Sequence, residues 1–158
     1  MKNLNDVIER VYQSYRFSLK GFSSDIKDVF LFQSLRGVKI VFLIEESELT
    51  GDNSYCYYLT YSVQKDHIVD TEDEEYLETV QGLPSLNEVT YRGGKFNHRE
   101  RRRLRTERDE LFASFLLGEA YSHEEKSRYL KYLEDAKALK SPSVQKVYDF
   151  FIDHAKNL

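Results

Sequence analysis

Val29-Phe30-Leu31-Phe32-Gln33-Ser34-Leu35-Arg36-Gly37-Val38-Lys39-Ile40-Val41-Phe42-Leu43-Ile44 is the stretch on which the fold turns. Two runs rich in β-branched and aromatic residues flank a short break at Arg36-Gly37, the spacing of a hairpin turn. Its longest uninterrupted apolar run, Ile40 to Ile44, is far shorter than the roughly 20 residues a membrane helix needs. Toward the C-terminus, Thr50-Gly51-Asp52-Asn53 reads as a second turn and Tyr55 to Val63 as a third strand. A short strand at His67-Ile68-Val69 completes a meander.

Helical signals surround this sheet. Leu4, Val7, Ile8, Val11, Tyr12, Tyr15 and Leu19 recur at helical spacing. They predict a helix over about residues 5–20, capped by Asn3 or Asn5 and stopped at Gly21. Beyond the strands, Thr71 with Glu74 forms a capping-box pattern, and Tyr76, Leu77 and Val80 supply an apolar stripe ending near Gly82. The stretch 82–95, with Pro84 and Gly93-Gly94, reads as a loop. A long helix follows from about Asn97 to Leu117, closed by Gly118. Ser122 with Glu125 repeats the capping box and opens a helix to about Leu139. Ser141-Pro142 caps a last helix whose apolar face is Val144, Val147, Tyr148, Phe151, Ile152 and Ala155. The prediction is an α+β fold: an N-terminal helix, a three- to four-stranded antiparallel meander, then four helices. One domain over 1–158 is expected, and any sub-division would fall in the 82–95 loop, between a sheet-bearing half and a helical half.

Composition supports an ordered interior, since 41% of the 158 residues are apolar and the chain holds twelve Tyr and ten Phe. Cys56 is alone, which excludes a disulfide framework and a paired thiolate metal site. The N-terminal residues lack the apolar core of a signal peptide. A soluble, cytoplasmic protein without a membrane partner is expected, as a monomer or homodimer.

Charge is sorted along the chain. From Glu45 to Glu88 there are twelve carboxylates against Lys65 alone, whereas Tyr91 to Arg108 holds eight cations against Glu100 and Glu107. Such fields act on association and specificity rather than on fold. On the long helix, Leu104, Leu111, Phe112, Phe115 and Leu116 mark a buried arc, leaving Arg99, Arg102, Arg103 and Arg105 exposed. Arg101 and Arg108 fall in or beside that arc, where they would bury their stems or pair with carboxylates. Cations in the first turns oppose the helix dipole, so contact with phosphates or with an acidic surface is the functional reading. A solvated face explains the same charges without function. Gly93-Gly94 matches no phosphate-loop fingerprint.

The acidic face is Asp70, Glu72, Asp73, Glu74, Glu75 and Glu78, with Asp66 close by and Glu45, Glu46, Glu48 and Asp52 at one hairpin end. Carboxylates spaced along a surface can imitate a phosphate backbone, and Tyr55, Tyr57, Tyr58, Tyr61 and Tyr76 would add interface anchors. Ordinary acidic solubility is the simpler account. Asp66 to Glu75 lacks the EF-hand spacing, so a calcium loop is not indicated.

No catalytic constellation emerges. His67, His98, His123 and His154 are scattered, and a Cys56–His67 pair would need adjacency that spacing does not supply. Glu124-Glu125-Lys126 has a nuclease-like look but opens a helix. No catalytic residue, metal site or cofactor is assigned. The leading expectation is a non-enzymatic interaction protein that inhibits or regulates a nucleic-acid-handling partner with a basic surface. Inhibitors of the anti-CRISPR or anti-restriction kind, carried by phages or mobile elements, fit that description. The alternatives are direct DNA or RNA binding through the Arg-rich helix, and a small ribonuclease-like enzyme using His98 or His67.

Overall fold

The structure, a computed structural model, describes residues 3–15, 22–48, 54–86, 98–116 and 122–157. The chain forms two compact units, one holding residues 16–91 and the other residues 1–15 with 92–158.

The first unit is a four-stranded antiparallel meander, β1 (Phe22–Ser34), β2 (Gly37–Glu48), β3 (Ser54–Ser62) and β4 (His67–Ile68), in the order β1-β2-β3-β4. The short helix α2 (Glu74–Val80) follows it; the preceding helix α1 (Leu4–Tyr15) belongs to the other unit. The expected meander is present, but β1 begins at Phe22 rather than at Val29. Ser23, Ser24, Asp25 and Asp28 hide the strand from a hydrophobicity pattern, yet the first three pair with the equally polar Ser47, Glu46 and Glu45 of β2, and Asp28 lies opposite Leu43. The register shifts between Ile26 and Asp28, leaving Lys27 as a bulge whose Nζ reaches Glu45 Oε2 at 2.6 Å. β2 is the central strand and is buried on both faces from Lys39 to Ile44. That is why its sequence reads as a continuous apolar run rather than an alternation.

The β1–β2 turn is Leu35-Arg36, followed by Gly37 at φ +107°. Leu35 and Arg36 keep negative φ, and Gly37, paired with Ser34, supplies the left-handed residue that closes the turn. Gln64 Oε1 accepts a 2.9 Å hydrogen bond from the Val38 N–H and would lie 2.8 Å from a Cβ added at Gly37. The β3–β4 turn places Asp66 at φ +56°, a conformation Asp tolerates, and Asp66 accepts the Tyr61 hydroxyl.

Helix α2 departs from expectation. Its N-cap is Asp73, without a side-chain cap bond, so Thr71 and Glu74 form no capping box. Thr71 and Glu72 instead lie in a turn in which Asp70 accepts from the Glu72 N–H at 3.1 Å. The buried positions are Glu75 and Thr79, while Leu77 of the expected apolar stripe is 54% exposed.

The second unit is helical: α1 (Leu4–Tyr15), α3 (His98–Leu116), α4 (His123–Lys137) and α5 (Pro142–Ala155). The cap of α1 is Asn3, whose Oδ1 accepts from the Asp6 N–H at 2.9 Å while Asp6 accepts from the Asn3 N–H. Leu4, Val7 and Val11 are its buried face, whereas Tyr12 is exposed. Leu19 and Gly21 lie outside the described residues, as do Gly93-Gly94 and Gly118. On α4 the N-cap half of the capping box is formed, with Ser122 Oγ accepting from the Glu125 N–H at 3.1 Å, and the Glu125 carboxylate accepts from the Ser122 hydroxyl at 3.1 Å. Ser141 is the N-cap of α5 with Pro142 at the first helical position, but its side chain makes no cap bond. Phe112 of α3 meets Tyr129 of α4 edge-on at 6.2 Å, and Gln145 of α5 donates to the carbonyls of Lys137 and Lys140 at the end of α4. Among the described residues no helix is long and apolar enough to cross a membrane.

Gly37→Ala is expected to destabilise the sheet-bearing unit by about 1–2 kcal/mol from the left-handed backbone alone, with further loss from displacing Gln64. Urea unfolding followed by circular dichroism checks this, with Gln64→Ala reporting the side-chain share.

Candidate functional site

The arginine cluster is built by one helix and completed by its neighbour. Leu104, Leu111 and Phe112 turn one side of α3 inward, and Arg99, Arg102, Arg103 and Arg105 are all exposed, as the helical spacing predicts. The side chains of Phe115, Leu116 and His98 lie outside the described residues. Arg108 is buried and contacts Asp109 at 3.3 Å, while Arg101 is exposed.

Arg99, Arg102 and Arg103 line one shallow groove of about 480 Å³, together with Thr106, Glu107 and Glu110 of the same helix and Arg128 of α4. Arg105 is not among its walls. These arginines are not equivalent. Arg103 is the hub of an ion-pair network, bonded to Glu100, to Glu107 at 3.3 Å and, across to α4, to Asp135 at 3.2 Å. Its hydrogen bonds to Glu100 and Asp135 raise its pKa and, in return, Arg103 holds the Glu100 carboxyl below its ordinary value. Arg103 therefore joins the two helices. Arg128 reaches Glu110 at 3.4 Å, both side chains being exposed. The guanidinium groups of Arg99, Arg102 and Arg105 form no ion pair or hydrogen bond with any described residue. The groove thus carries four cations against two carboxylates, with Arg99 and Arg102 uncommitted.

The acidic face is organised in the opposite sense, because half of it is committed inside its own unit. Arg36, at the β1–β2 turn, meets Glu74 at 2.7 Å and Glu78 at 3.4 Å, and the Glu74 hydrogen bond raises its pKa. Glu75 is buried and faces two lysines, the exposed Lys65 and the fully buried Lys39, whose Nζ is 3.8 Å from it. Lys39 Nζ also donates to the Arg36 carbonyl at 3.2 Å. The Lys65 hydrogen bond, more than the charge of Lys39, holds the Glu75 carboxyl below its ordinary value. Glu46 at the hairpin end is buried too and accepts the hydroxyls of Tyr55 and Tyr57. Of the six face residues Glu75 is buried and Glu78 half-buried, Glu74 is exposed but paired with Arg36, and Asp70, Glu72 and Asp73 are exposed. Asp70 caps its own turn, and Glu72 and Asp73 have carboxylates without a partner among the described residues.

The structure does not bring Cys56 and His67 together. His67 pairs with Ser62, six residues along β3 from Cys56, which is about 20 Å at the rise of a strand. Cys56 is buried and His67 exposed. Tyr58, donating to the Pro84 carbonyl at 2.7 Å, has its pKa raised by burial and serves as packing rather than as an acid. Among the described residues no three His, Cys, Asp or Glu side chains converge to hold a metal ion.

Reading residues alone passes over the neutralising cations Arg36, Lys39 and Lys65, and Arg128 in the groove. Lys39 carries a signal, a lone charge inside Val38 to Ile44, since a buried ammonium demands a carboxylate. Arg128 carries none, because its place follows from how α4 lies beside α3.

Glu75→Ala is expected to cost about 3 kcal/mol or more, as it strands the buried Lys39. Glu74→Ala, at an exposed pair, should move the unfolding midpoint little. Because Glu75 is lowered in the folded state, its contribution is present above its unfolded pKa and disappears as pH falls through the folded one. Urea midpoints across an acid pH series should therefore fall for the natural protein and fall less steeply for Glu75→Gln.

Comparison of the chain with protein-family models, with curated proteins and with solved structures found no match.

Proposed function

We propose that this is a non-enzymatic nucleic-acid-binding protein whose α3–α4 groove holds a phosphate backbone. The observation that carries the reading is the pair Arg99 and Arg102, exposed in a concave surface with Arg128 and without carboxylate partners among the described residues. Such guanidinium groups can take phosphate oxygens in bidentate fashion without breaking an ion pair to any described residue. Their place in the first turns of α3 runs against the helix dipole, which an external anion would relieve. The groove wall contributes Arg, Glu and Thr but no aromatic side chain on which a base could stack. Contact with the backbone, independent of sequence, is the mode this chemistry supports.

The inhibitor reading of the acidic face draws less support from the geometry. A phosphate mimic needs free carboxylates, and Glu74, Glu75 and Glu78 are engaged by Arg36, Lys39 and Lys65. The ribonuclease reading has no acid–base pair among the described side chains to support it.

Fluorescence anisotropy of labelled duplex DNA and single-stranded RNA across a salt series tests the proposal. On duplex DNA the logarithmic salt slope should shrink by about 0.9 for each of Arg99, Arg102 and Arg128 replaced by alanine and in contact with a phosphate. Arg103→Ala is unsuitable as a binding probe, since it also unties α3 from α4. Unchanged affinity and slope in the Arg99→Ala/Arg102→Ala protein would reject the groove.

A further inference from the structure

The β1–β2 turn and α2 form a corner that has no part in the arginine groove. Leu35, at the tip of the turn, is 101% exposed, and Leu77 on α2 is 54% exposed. They are the exposed large aliphatic side chains among the described residues, the other exposed large hydrophobics being Tyr12 and Tyr55. An isolated surface leucine needs no explanation, but the turn and the helix that carry these two are tied to each other through Arg36. Arg36, next to Leu35, is clamped to Glu74 and Glu78, and Glu74 stands one helical turn from Leu77 on the same side of α2. The clamp holds the turn against the helix and flanks itself with a leucine from each.

Packing does not require this exposure. Helix α2 seats itself through the buried Glu75 and Thr79 and through Tyr76, which donates to the Tyr58 carbonyl at 3.2 Å, while Leu77 keeps more than half of its surface in solvent. The charge around the leucines is one-sided. Asp70, Glu72, Asp73, Glu74 and Glu78 lie on or just before α2, against Arg36 and Lys65, and Glu72 and Asp73 have no described partner.

We infer that this corner docks a protein partner that presents an apolar segment bordered by lysine or arginine. Leu35 and Leu77 would supply the desolvated centre, and Glu72 and Asp73 the steering charge at its rim. The partner's basic border is fixed by complementarity, since a neutral or acidic one would leave the rim carboxylates facing like charge or no charge.

The test uses the full-length protein and a synthetic amphipathic peptide with leucines on one helical face and lysines on the other. The same peptide with glutamate for lysine is the control, and amide chemical shifts of the isotope-labelled protein are the readout. The inference expects shifts centred on residues 35–36 and 72–78, at least tenfold weaker binding in Leu35→Ser/Leu77→Ser and in Glu72→Lys/Asp73→Lys, and weaker binding of the glutamate peptide. All four positions are exposed, and an unchanged spectrum elsewhere verifies that the variants fold. Shifts centred elsewhere, equal binding of both peptides, or unaltered binding by the leucine variant would overturn it. So would concentration-dependent dimerisation of the free protein that the leucine variant abolishes, which would make the occupant a second copy of this chain.

Discussion

Lys39 is fully buried on the central strand, and an ammonium taken out of water needs acceptors and a counter-charge. The Arg36 carbonyl and Glu75 meet that need. Satisfying Lys39 fixes which side of α2 turns inward, so a seven-residue helix docks through a glutamate and a threonine instead of its leucine. The same choice sends Glu74 and Glu78 toward Arg36 and leaves Leu77 in solvent. One buried charge thus orients the helix, closes the hairpin turn against it and sets the chemistry of the neighbouring surface.

The two charged stretches come out of folding in different states. The acidic one is heavily cross-linked by cations that lie before it in the chain or within it, Arg36, Lys39 and Lys65. The basic one satisfies Arg103 through three carboxylates and leaves Arg99, Arg102 and Arg105 without an ion-pair partner among the described residues. Formal charge along the sequence would rank the acidic run as the stronger binding feature, since its excess is larger. Counting only charges without an internal partner shifts the weight to the arginines, because a paired surface ion has little left to offer a ligand.

Much of the architecture was legible in the residues, and the exceptions share a cause. The apolar run Val38 to Ile44 announced the central strand, Ser122 with Glu125 its helix start, and Gly37 the turn. Those signals are local, written in a few adjacent side chains. What stayed hidden depended on partners distant in sequence. The polar first half of β1 is a strand because β2 offers it a matching polar edge. The apolar stripe of α2 failed because Lys39, some 35 residues earlier, claimed Glu75. In the groove, the three α3 arginines followed from helical spacing, whereas Arg128 joined them through the packing of α4.

The bulge at Lys27 has a consequence for how the molecule behaves among its own copies. β1 ends the strand order of the sheet, but residues 28–32 of it are buried, so among the described side chains the edge open to another chain is Asp25 to Lys27 and the turn end at Gln33 and Ser34. The Lys27 bulge falls in the first of these open stretches, where Lys27 and Asp25 both carry exposed charge. An incoming strand would meet a break in register and a patch of charge where it most needs continuous hydrogen bonding. The polar half of β1, which conceals the strand in the sequence, is thereby also its safeguard against edge-to-edge aggregation.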